Sequence, residues 1–175
     1  MAGETSARVI SVRRIRIHEG AVYRKVRLAA LSESPDAFST TLESANSRSL
    51  DSWNEQADNA EDGADRMIIL VFSDEEPVGI AGLYRDPLNK DCGELTQVWV
   101  GPDHRGGHAA AKLIEAVLVF ATEHRFKQLS AWVNEGNDRA IRFYGKHGFE
   151  LTDETEPFRP GSDLVSRLMT TQISG

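Results

Sequence analysis

The stretch that decides the fold is Gln97-Val98-Trp99-Val100-Gly101-Pro102-Asp103-His104-Arg105-Gly106-Gly107-His108-Ala109-Ala110-Ala111-Lys112-Leu113-Ile114. It predicts a β-strand that runs into an amphipathic helix through a turn containing Gly106 and Gly107. Adjacent glycines let the backbone turn sharply, and the unpaired N–H groups of a first helical turn can bind a phosphate group. The small side chains of residues 109–111 let a ligand approach. We therefore predict an anion-binding turn to which Arg105 adds a positive charge.

This turn differs from two familiar nucleotide-binding loops. It lacks the Gly-Lys-Ser/Thr end of a Walker A loop and the Gly-x-Gly-x-x-Gly spacing of dinucleotide-binding folds. His104 and His108 are four residues apart, a spacing that suits zinc ligands on a helix. The two glycines between them disfavour a helix there. We therefore expect no metal site, and kinase and dinucleotide-binding functions lose their main support.

Outward from the turn, strand-like and helix-like segments follow one another along the chain. Alternating or continuous apolar residues predict strands, and apolar residues at helical spacing predict helices. The order predicts a domain of the α/β class, with a mixed sheet and helices on its faces. The predicted strands span residues 9–17, 67–72, 78–84, 94–100, 129–133, 149–151 and 164–169, and the predicted helices span 19–31, 42–60, 107–125 and 137–146.

Length and composition are those of an ordinary globular protein. The 175 residues suit a single domain over 1–175, with residues 1–8 as a flexible N-terminal tail. Because 20 Lys and Arg stand against 27 Asp and Glu, the formal net charge is −7, which argues against nucleic acid and anionic membranes as partners. No apolar run has the length of a membrane span. The single cysteine, Cys92, cannot form an internal disulfide, so we expect a reducing, cytoplasmic location.

A second informative stretch is Asn137-Asp138-Arg139-Ala140-Ile141-Arg142-Phe143-Tyr144-Gly145-Lys146-His147-Gly148-Phe149. It resembles the pattern Asn-x-x-Ala-x-x-x-Tyr-x-Lys-x-Gly-Phe of the Gcn5-related N-acetyltransferase (GNAT) superfamily. The glycine turn resembles that family's pyrophosphate-binding motif, with Arg105 at its first position and Ala110 at its last, although His108 stands where the family usually has glycine. The resemblance implies a GNAT-like acyl-CoA N-acyltransferase fold: about seven mostly antiparallel strands with a splayed central pair, flanked by about four helices.

The resemblance also implies a cofactor, acetyl-CoA, and the residues that hold it. Backbone groups of one strand would pair with the pantetheine arm, the turn would hold the pyrophosphate, and Asn137 would bond the cofactor or begin the following helix. The strand residues are Val98, Trp99 and Val100, and the turn residues are Arg105, Gly106, Gly107, His108, Ala109 and Ala110.

The activity implied is transfer of the acetyl group to a primary amine by direct attack on the thioester. An alkylamine has an ordinary pKa near about 10 and attacks only after losing its proton, so the site needs a base. Glu94, at the start of the strand that faces the thioester, is our candidate, with Glu33 and Glu43 as alternatives. The motif places Tyr144 where it would contact the cofactor and protonate the leaving thiolate.

The acceptor amine stays open at this level. By the resemblance, the loop residues Phe38, Ser39 and Thr40 lie over the acceptor site. The acidic segment from Asp51 to Asp65 and the net charge lean weakly towards a small cationic amine. A protein N-terminus or lysine is the alternative acceptor, and a CoA-binding module with little catalysis is the alternative function. Dimers are common for this kind of fold, so a homodimer is also an open alternative.

Overall fold

The computed structural model describes residues 7–174, so the first six positions of the predicted tail lie outside the described residues. The described chain forms a seven-stranded sheet in the order β1-β2-β3-β4-β5-β7-β6, with helices on both faces. The strands are β1 (Ile10–Arg14), β2 (Arg66–Ser73), β3 (Glu76–Arg85), β4 (Cys92–Val100), β5 (Gln128–Asn134), β6 (Glu150–Pro157) and β7 (Val165–Gln172). The α-helices are α1 (Gly20–Glu33), α2 (Leu42–Asn46), α3 (Leu50–Glu61), α4 (His108–Glu123) and α5 (Asp138–Lys146).

The central strands β4 and β5 separate from each other. Every other neighbouring pair is antiparallel, whereas β4 and β5 run parallel. Their pairing covers Cys92 to Glu94 against Gln128 to Ser130; beyond it, β4 runs on to Val100 and β5 to Asn134 as diverging strands. The predicted mixed sheet, mostly antiparallel and with a splayed central pair, is therefore confirmed.

β4 is also irregular near the point where it leaves β5. Its register with β3 shifts between Ile80 and Gly82, and Gln97 has a φ of 60°. A Cβ placed on Gly82 would lie 3.0 Å from Thr96 Oγ1 and 3.1 Å from Gln97 Nε2, so both side chains occupy the space above this glycine. This β-bulge turns two consecutive polar side chains to one face of the sheet.

Each face of the sheet carries its own apolar core. On one face, α4 packs its apolar stripe against β1, β2, β3 and β4, as the helical spacing of its sequence predicts. On the other face, α1 and α3 pack together, and the rings of Tyr23 and Trp53 meet edge to face with centroids 4.9 Å apart. The fully buried residues include Leu113, Ile114, Val117 and Leu129 in the first core and Trp53, Leu31, Ile68, Leu70 and Ile80 in the second.

Several boundaries differ from the sequence-based expectation, among them that β7 runs to Gln172 and not to residue 169. Residues 42–60 form two helices and not one, because Thr41 and Ser49 each cap a new N-terminus by accepting a hydrogen bond from the backbone N–H three residues later. The described chain therefore has five α-helices where about four were expected. β6 runs to Pro157 and not to residue 151, and β1 ends at Arg14.

The exposed acidic segment has an ordinary structural explanation. Within it, Trp53, Ala57 and Ala60 form the buried stripe of α3, whereas the carboxylates of Asp51, Asp58 and their neighbours lie outside. Among the helices of residues 7–174, none has the length and apolar character needed to cross a membrane.

Candidate active site

A cavity of about 890 Å³ lies where β4 and β5 separate. It extends from the sheet face that carries α4 and α5, which we call the α4 side, to the face that carries α1 and α3, the α1 side. A cavity of this size and position suits a long, narrow ligand that passes between the two strands.

The N-terminus of α4 forms one wall on the α4 side. Gly107 is the N-cap and provides no side chain to cap the helix, and Gly106 has a φ of 75° that favours glycine. A Cβ placed on either glycine meets no described atom within 4 Å. The first N–H groups of α4 therefore have no side-chain cap, in the turn for which the sequence predicts anion binding.

Three cations on α5 line the same side of the cavity: Arg139, Arg142 and Lys146. Their spacing of three and four residues places them on one face of the helix. Sequence reasoning did not assign them to the site, although this spacing was the signal that could have found them. Together they make the α4 side strongly positive in a chain of net charge −7.

Most of the predicted cofactor residues line the cavity. Ala109 instead packs into the core, and His108 is exposed to solvent away from the cavity wall. The side chain of Asn137 accepts a hydrogen bond from Ala140 N at 3.1 Å and so caps α5, one of the two roles considered for it. Those that line the cavity are Val98, Trp99, Val100, Arg105, Gly106, Gly107, Ala110, Asn137 and Tyr144.

The guanidinium of Arg105 lies on Glu33, at the end of α1. Arg105 Nη2 donates to Glu33 Oε2 at 2.7 Å and Nη1 to Oε1 at 3.1 Å, while Nε donates to Val100 O at 2.8 Å. Trp99 Nε1 also donates to Glu33, at 3.0 Å. These hydrogen bonds, led by those from Arg105, lower the pKa of Glu33 to about 2. Glu33 is therefore a permanent anion that ties α1 to the glycine turn and a poor general base.

Glu94 is the carboxylate that lines the cavity within the described chain. It is the last β4 residue paired with β5, so it lies where the two strands begin to diverge. Partial burial raises the pKa of Glu94 above its ordinary value, and the negative charges of Glu156 and Asp86 raise it further. A carboxylate with a raised pKa is a better proton acceptor than an ordinary one. The alternative Glu43 lies on the exposed side of α2, away from the cavity wall.

Tyr144 is buried in the wall on the α4 side. Its ring packs edge to face against Phe143 and Phe149, with centroids 5.4 Å and 5.3 Å away. Burial raises the pKa of the phenol well above its ordinary value, because the phenolate would be poorly solvated. The hydroxyl therefore keeps its proton throughout the neutral range and is available as a donor.

The α1 side contains the predicted acceptor residues Phe38, Ser39 and Thr40. Their loop is tied to the rest of the molecule at two points: Asn134 Nδ2 donates to Asp36 O at 2.9 Å, and Arg159 Nη2 donates to Phe38 O at 2.6 Å.

Sequence reasoning missed the polar groups that face this loop. Tyr23 donates to Gln97 Oε1 at 2.8 Å, Gln97 Nε2 donates to Tyr84 at 3.1 Å, and Arg27 and Arg48 line the same wall. These residues come from α1, the α2–α3 connection and two strands, so only the packing of the fold brings them together.

Residues 29–149 match the sequence pattern that defines the acetyltransferase (GNAT) family. The chain belongs to this family. A relative described as an uncharacterized N-acetyltransferase from Mycobacterium tuberculosis is 36% identical over 97 residues, which is 55% of this chain and 60% of that protein. The peptidyl-lysine N-acetyltransferase YjaB from Escherichia coli is 32% identical over 91 residues, or 50% of this chain and 52% of YjaB. The matches thus span little more than half of these relatives.

Solved structures of the GNAT family share the fold. The structure of yncA from Salmonella typhimurium with its cofactor acetyl-CoA superposes with a TM-score of 0.78 over 95% of each chain at 17% identity. At this identity the likeness concerns the fold alone.

Residues 7–174 contain no cluster of three or more His, Cys, Asp or Glu side chains suited to binding a metal ion.

Proposed function

We propose that this GNAT protein transfers an acetyl group from acetyl-CoA to the amine of a small molecule. The observation that carries the proposal is one continuous cavity that joins three features: the uncapped N-terminus of α4, the gap between β4 and β5, and the carboxylate of Glu94. Membership of the acetyltransferase (GNAT) family supports the assignment of acetyl-CoA as the donor.

The residues of the cavity fit each part of the donor. The open N–H groups at the start of α4 suit the pyrophosphate, and Arg139, Arg142 and Lys146 add positive charge for the remaining phosphate oxygens. Beyond Glu94, β4 diverges from β5, so the backbone of Val98 to Val100 can pair with the pantetheine amides as a neighbouring strand would. Arg105 acts as a positioning residue, because its guanidinium fixes the turn to Glu33.

When bound, acetyl-CoA supplies the acetyl group as a reactive thioester. Glu94 accepts the proton that the amine loses, directly or through a water molecule, as the new carbon–nitrogen bond forms. Tyr144 donates its hydroxyl proton to the sulfur as the carbon–sulfur bond breaks, and water returns a proton to the phenol. Burial that raises the pKa of Tyr144 keeps its hydroxyl protonated, so the hydroxyl can donate a hydrogen bond to the sulfur as negative charge develops there.

Thiol release from acetyl-CoA tests the proposal. The assay uses a panel of amino acids, polyamines, aminoglycosides and short peptides, with CoA-induced thermal stabilisation measured on the same protein. We expect release with one class of small amine. Release with peptides alone would replace the small acceptor by a protein N-terminus or lysine. Thermal stabilisation by CoA without release from any amine would identify a CoA-binding module and refute the transferase.

A further inference from the structure

The α1 side of the cavity carries two cations, which disfavour a cationic acceptor. Arg27 projects from α1 and Arg48 lies between α2 and α3, and both line the cavity, where Arg27 contacts Phe38 of the predicted acceptor loop. Among the described residues that line the cavity, Glu94 is the one with a negatively charged side chain. This charge pattern is opposite to the one that the acidic segment suggested, because no carboxylate of that segment lines the cavity.

Arg27 is a buried cation without a counter-ion. Its residue surface is 5% exposed, and its Nη1 has no hydrogen-bond partner among residues 7–174. The groups that interact electrostatically with the guanidinium of Arg27 are the Tyr23 and Tyr84 hydroxyls and a second cation, Arg48. The guanidinium also lies over the ring of Phe38, 5.0 Å from its centroid. A cation–π contact leaves the in-plane donors of the guanidinium free.

Other arginines of this protein have a carboxylate partner for the guanidinium. Arg13, Arg85 and Arg105 each donate to a carboxylate at 2.7 Å. Arg27 is more deeply buried than the partly exposed Arg13 and Arg105, yet it has no such partner in the described chain. Burying an unpaired charge costs free energy, and an anion that enters the cavity would offset that cost.

Arg48 adds a second cation to the same wall. Its guanidinium stacks over the ring of Trp53, 3.8 Å from the centroid, and donates to the hydroxyl and carbonyl oxygens of Ser52. Stacking and hydrogen bonding hold its plane in a fixed orientation, which is the arrangement that favours recognition of a planar anion. Ser52 carries no charge, so Arg48 keeps its positive charge for the cavity.

We propose that the acceptor is a small amine that carries a carboxylate, such as a free amino acid, and that Arg27 and Arg48 bind this carboxylate. The inference rests on the proposed function and names the substrate class of the same site. The two cations suit the carboxylate, and Glu94 suits the amine. Because Arg27 is almost fully buried, the carboxylate must enter the cavity to reach it. An internal lysine of a folded protein has no free α-carboxylate that could enter in this way.

The first test compares each amino acid with its own carboxamide in the thiol-release assay. The amide has the less basic amine, so near pH 8 intrinsic reactivity alone favours the amide. We expect kcat/KM to be at least about tenfold higher for the acids. Because Arg48 remains, Arg27→Met should lower this ratio several-fold, and Arg27→Lys, which keeps the charge, should lower it less. Lys25→Met is the matched control, because it removes a cation of α1 that pairs with Glu76 outside the cavity lining.

Equal kcat/KM for acids and amides in the wild-type protein would overturn the inference and leave the proposed function standing. A second measurement does not depend on transfer: N-acetyl amino acids and N-acetyl amino acid amides are titrated calorimetrically into CoA-saturated protein. We expect the acids to bind about tenfold more tightly, and Arg27→Met to reduce this difference. Selective binding of the acids without thiol release from any amine would support the carboxylate site and refute the transferase. Equal binding would overturn the inference.

Unfolding of the ligand-free protein separates recognition from a structural role. Arg27→Met replaces an unpaired buried cation by an apolar chain of similar length, so the urea midpoint should stay the same or rise. A clear fall in that midpoint would show that Arg27 serves the fold, and would overturn its assignment as a ligand for the acceptor.

Discussion

Replacing Glu33 with glutamine should weaken CoA binding, although Glu33 itself lies outside the phosphate-binding turn. Its carboxylate holds both Nη atoms of Arg105, and Arg105 in turn holds the carbonyl of Val100 where β4 enters the turn. Hydrogen bonds to charged groups contribute about 1.5–3 kcal/mol. The Glu33 side chain is about one third exposed, so solvent screening reduces the expected loss to about 1 kcal/mol, or about a fivefold higher Kd for CoA.

The assay is calorimetric titration of CoA into Glu33→Gln, Arg105→Met, the double variant and the wild-type protein. If Arg105 acts through Glu33, the two single variants weaken binding by similar factors, the double variant adds little, and the salt dependence of Kd stays the same. Glu43→Gln is the control, because it makes the same chemical change at an exposed position on α2.

A direct contact between the Arg105 guanidinium and a phosphate predicts the opposite effect of Glu33→Gln on the Kd for CoA. Glu33→Gln would then release Arg105 to the phosphate and tighten CoA binding, while Arg105→Met alone would weaken it and reduce its salt dependence. That result would refute the positioning role.

The ion pair also affects the pH dependence of stability. The pKa of Glu33 is lowered, so the contribution of Glu33 to the free energy of unfolding is present above about pH 4.5 and is lost as the pH falls towards about 2. The stability difference between wild type and Glu33→Gln should shrink over that range.

Three further variants test the roles of single side chains. Glu94→Gln should lower kcat about a hundredfold and remove the acid limb of the pH–rate profile, because activity is lost as the pH falls through the raised pKa of Glu94; an unchanged profile would exclude Glu94 as the base. Tyr144→Phe should lower kcat by a similar factor with CoA affinity unchanged, and wild-type turnover would remove its role as acid. Asn137→Ala should lower the free energy of unfolding by about 1 kcal/mol, measured with urea, and no loss would mean that the cap to Ala140 does not stabilise α5.

The local features of the site could be predicted because each lies within one short segment. The two glycines of the turn, the small residues after them and the N-cap of α5 act on their sequence neighbours, so spacing alone indicates what they do. The same holds for the apolar stripe of α4. The extent of β6 could not be predicted, because it is an edge strand with nearly all its side chains exposed and lacks the alternation of a half-buried strand.

The residues on the acceptor side could not be predicted from the sequence, for a different reason. Arg27, Arg48 and Glu94 come from three separate segments, and in the sequence each cation resembles an ordinary solvent-exposed residue of a helix. Glu33 and Arg105 are 72 residues apart, so nothing local predicts their ion pair. The acidic segment from Asp51 to Asp65 was visible in the sequence but lies on the outer surface of α3 and the loop after it. Tertiary packing therefore decides the charge of the acceptor site.

The central claim is that the acetyl group passes from acetyl-CoA to an amine held in this cavity. Its most direct test is incubation of the protein with acetyl-CoA whose acetyl group carries a heavy isotope, together with the amine panel, followed by mass spectrometry of each amine. We predict that the label appears on the nitrogen of one class of amine, at a rate that Glu94→Gln and Tyr144→Phe both reduce. Label that stays in the thioester, or that appears as free acetate at equal rates with and without amines, would contradict the account.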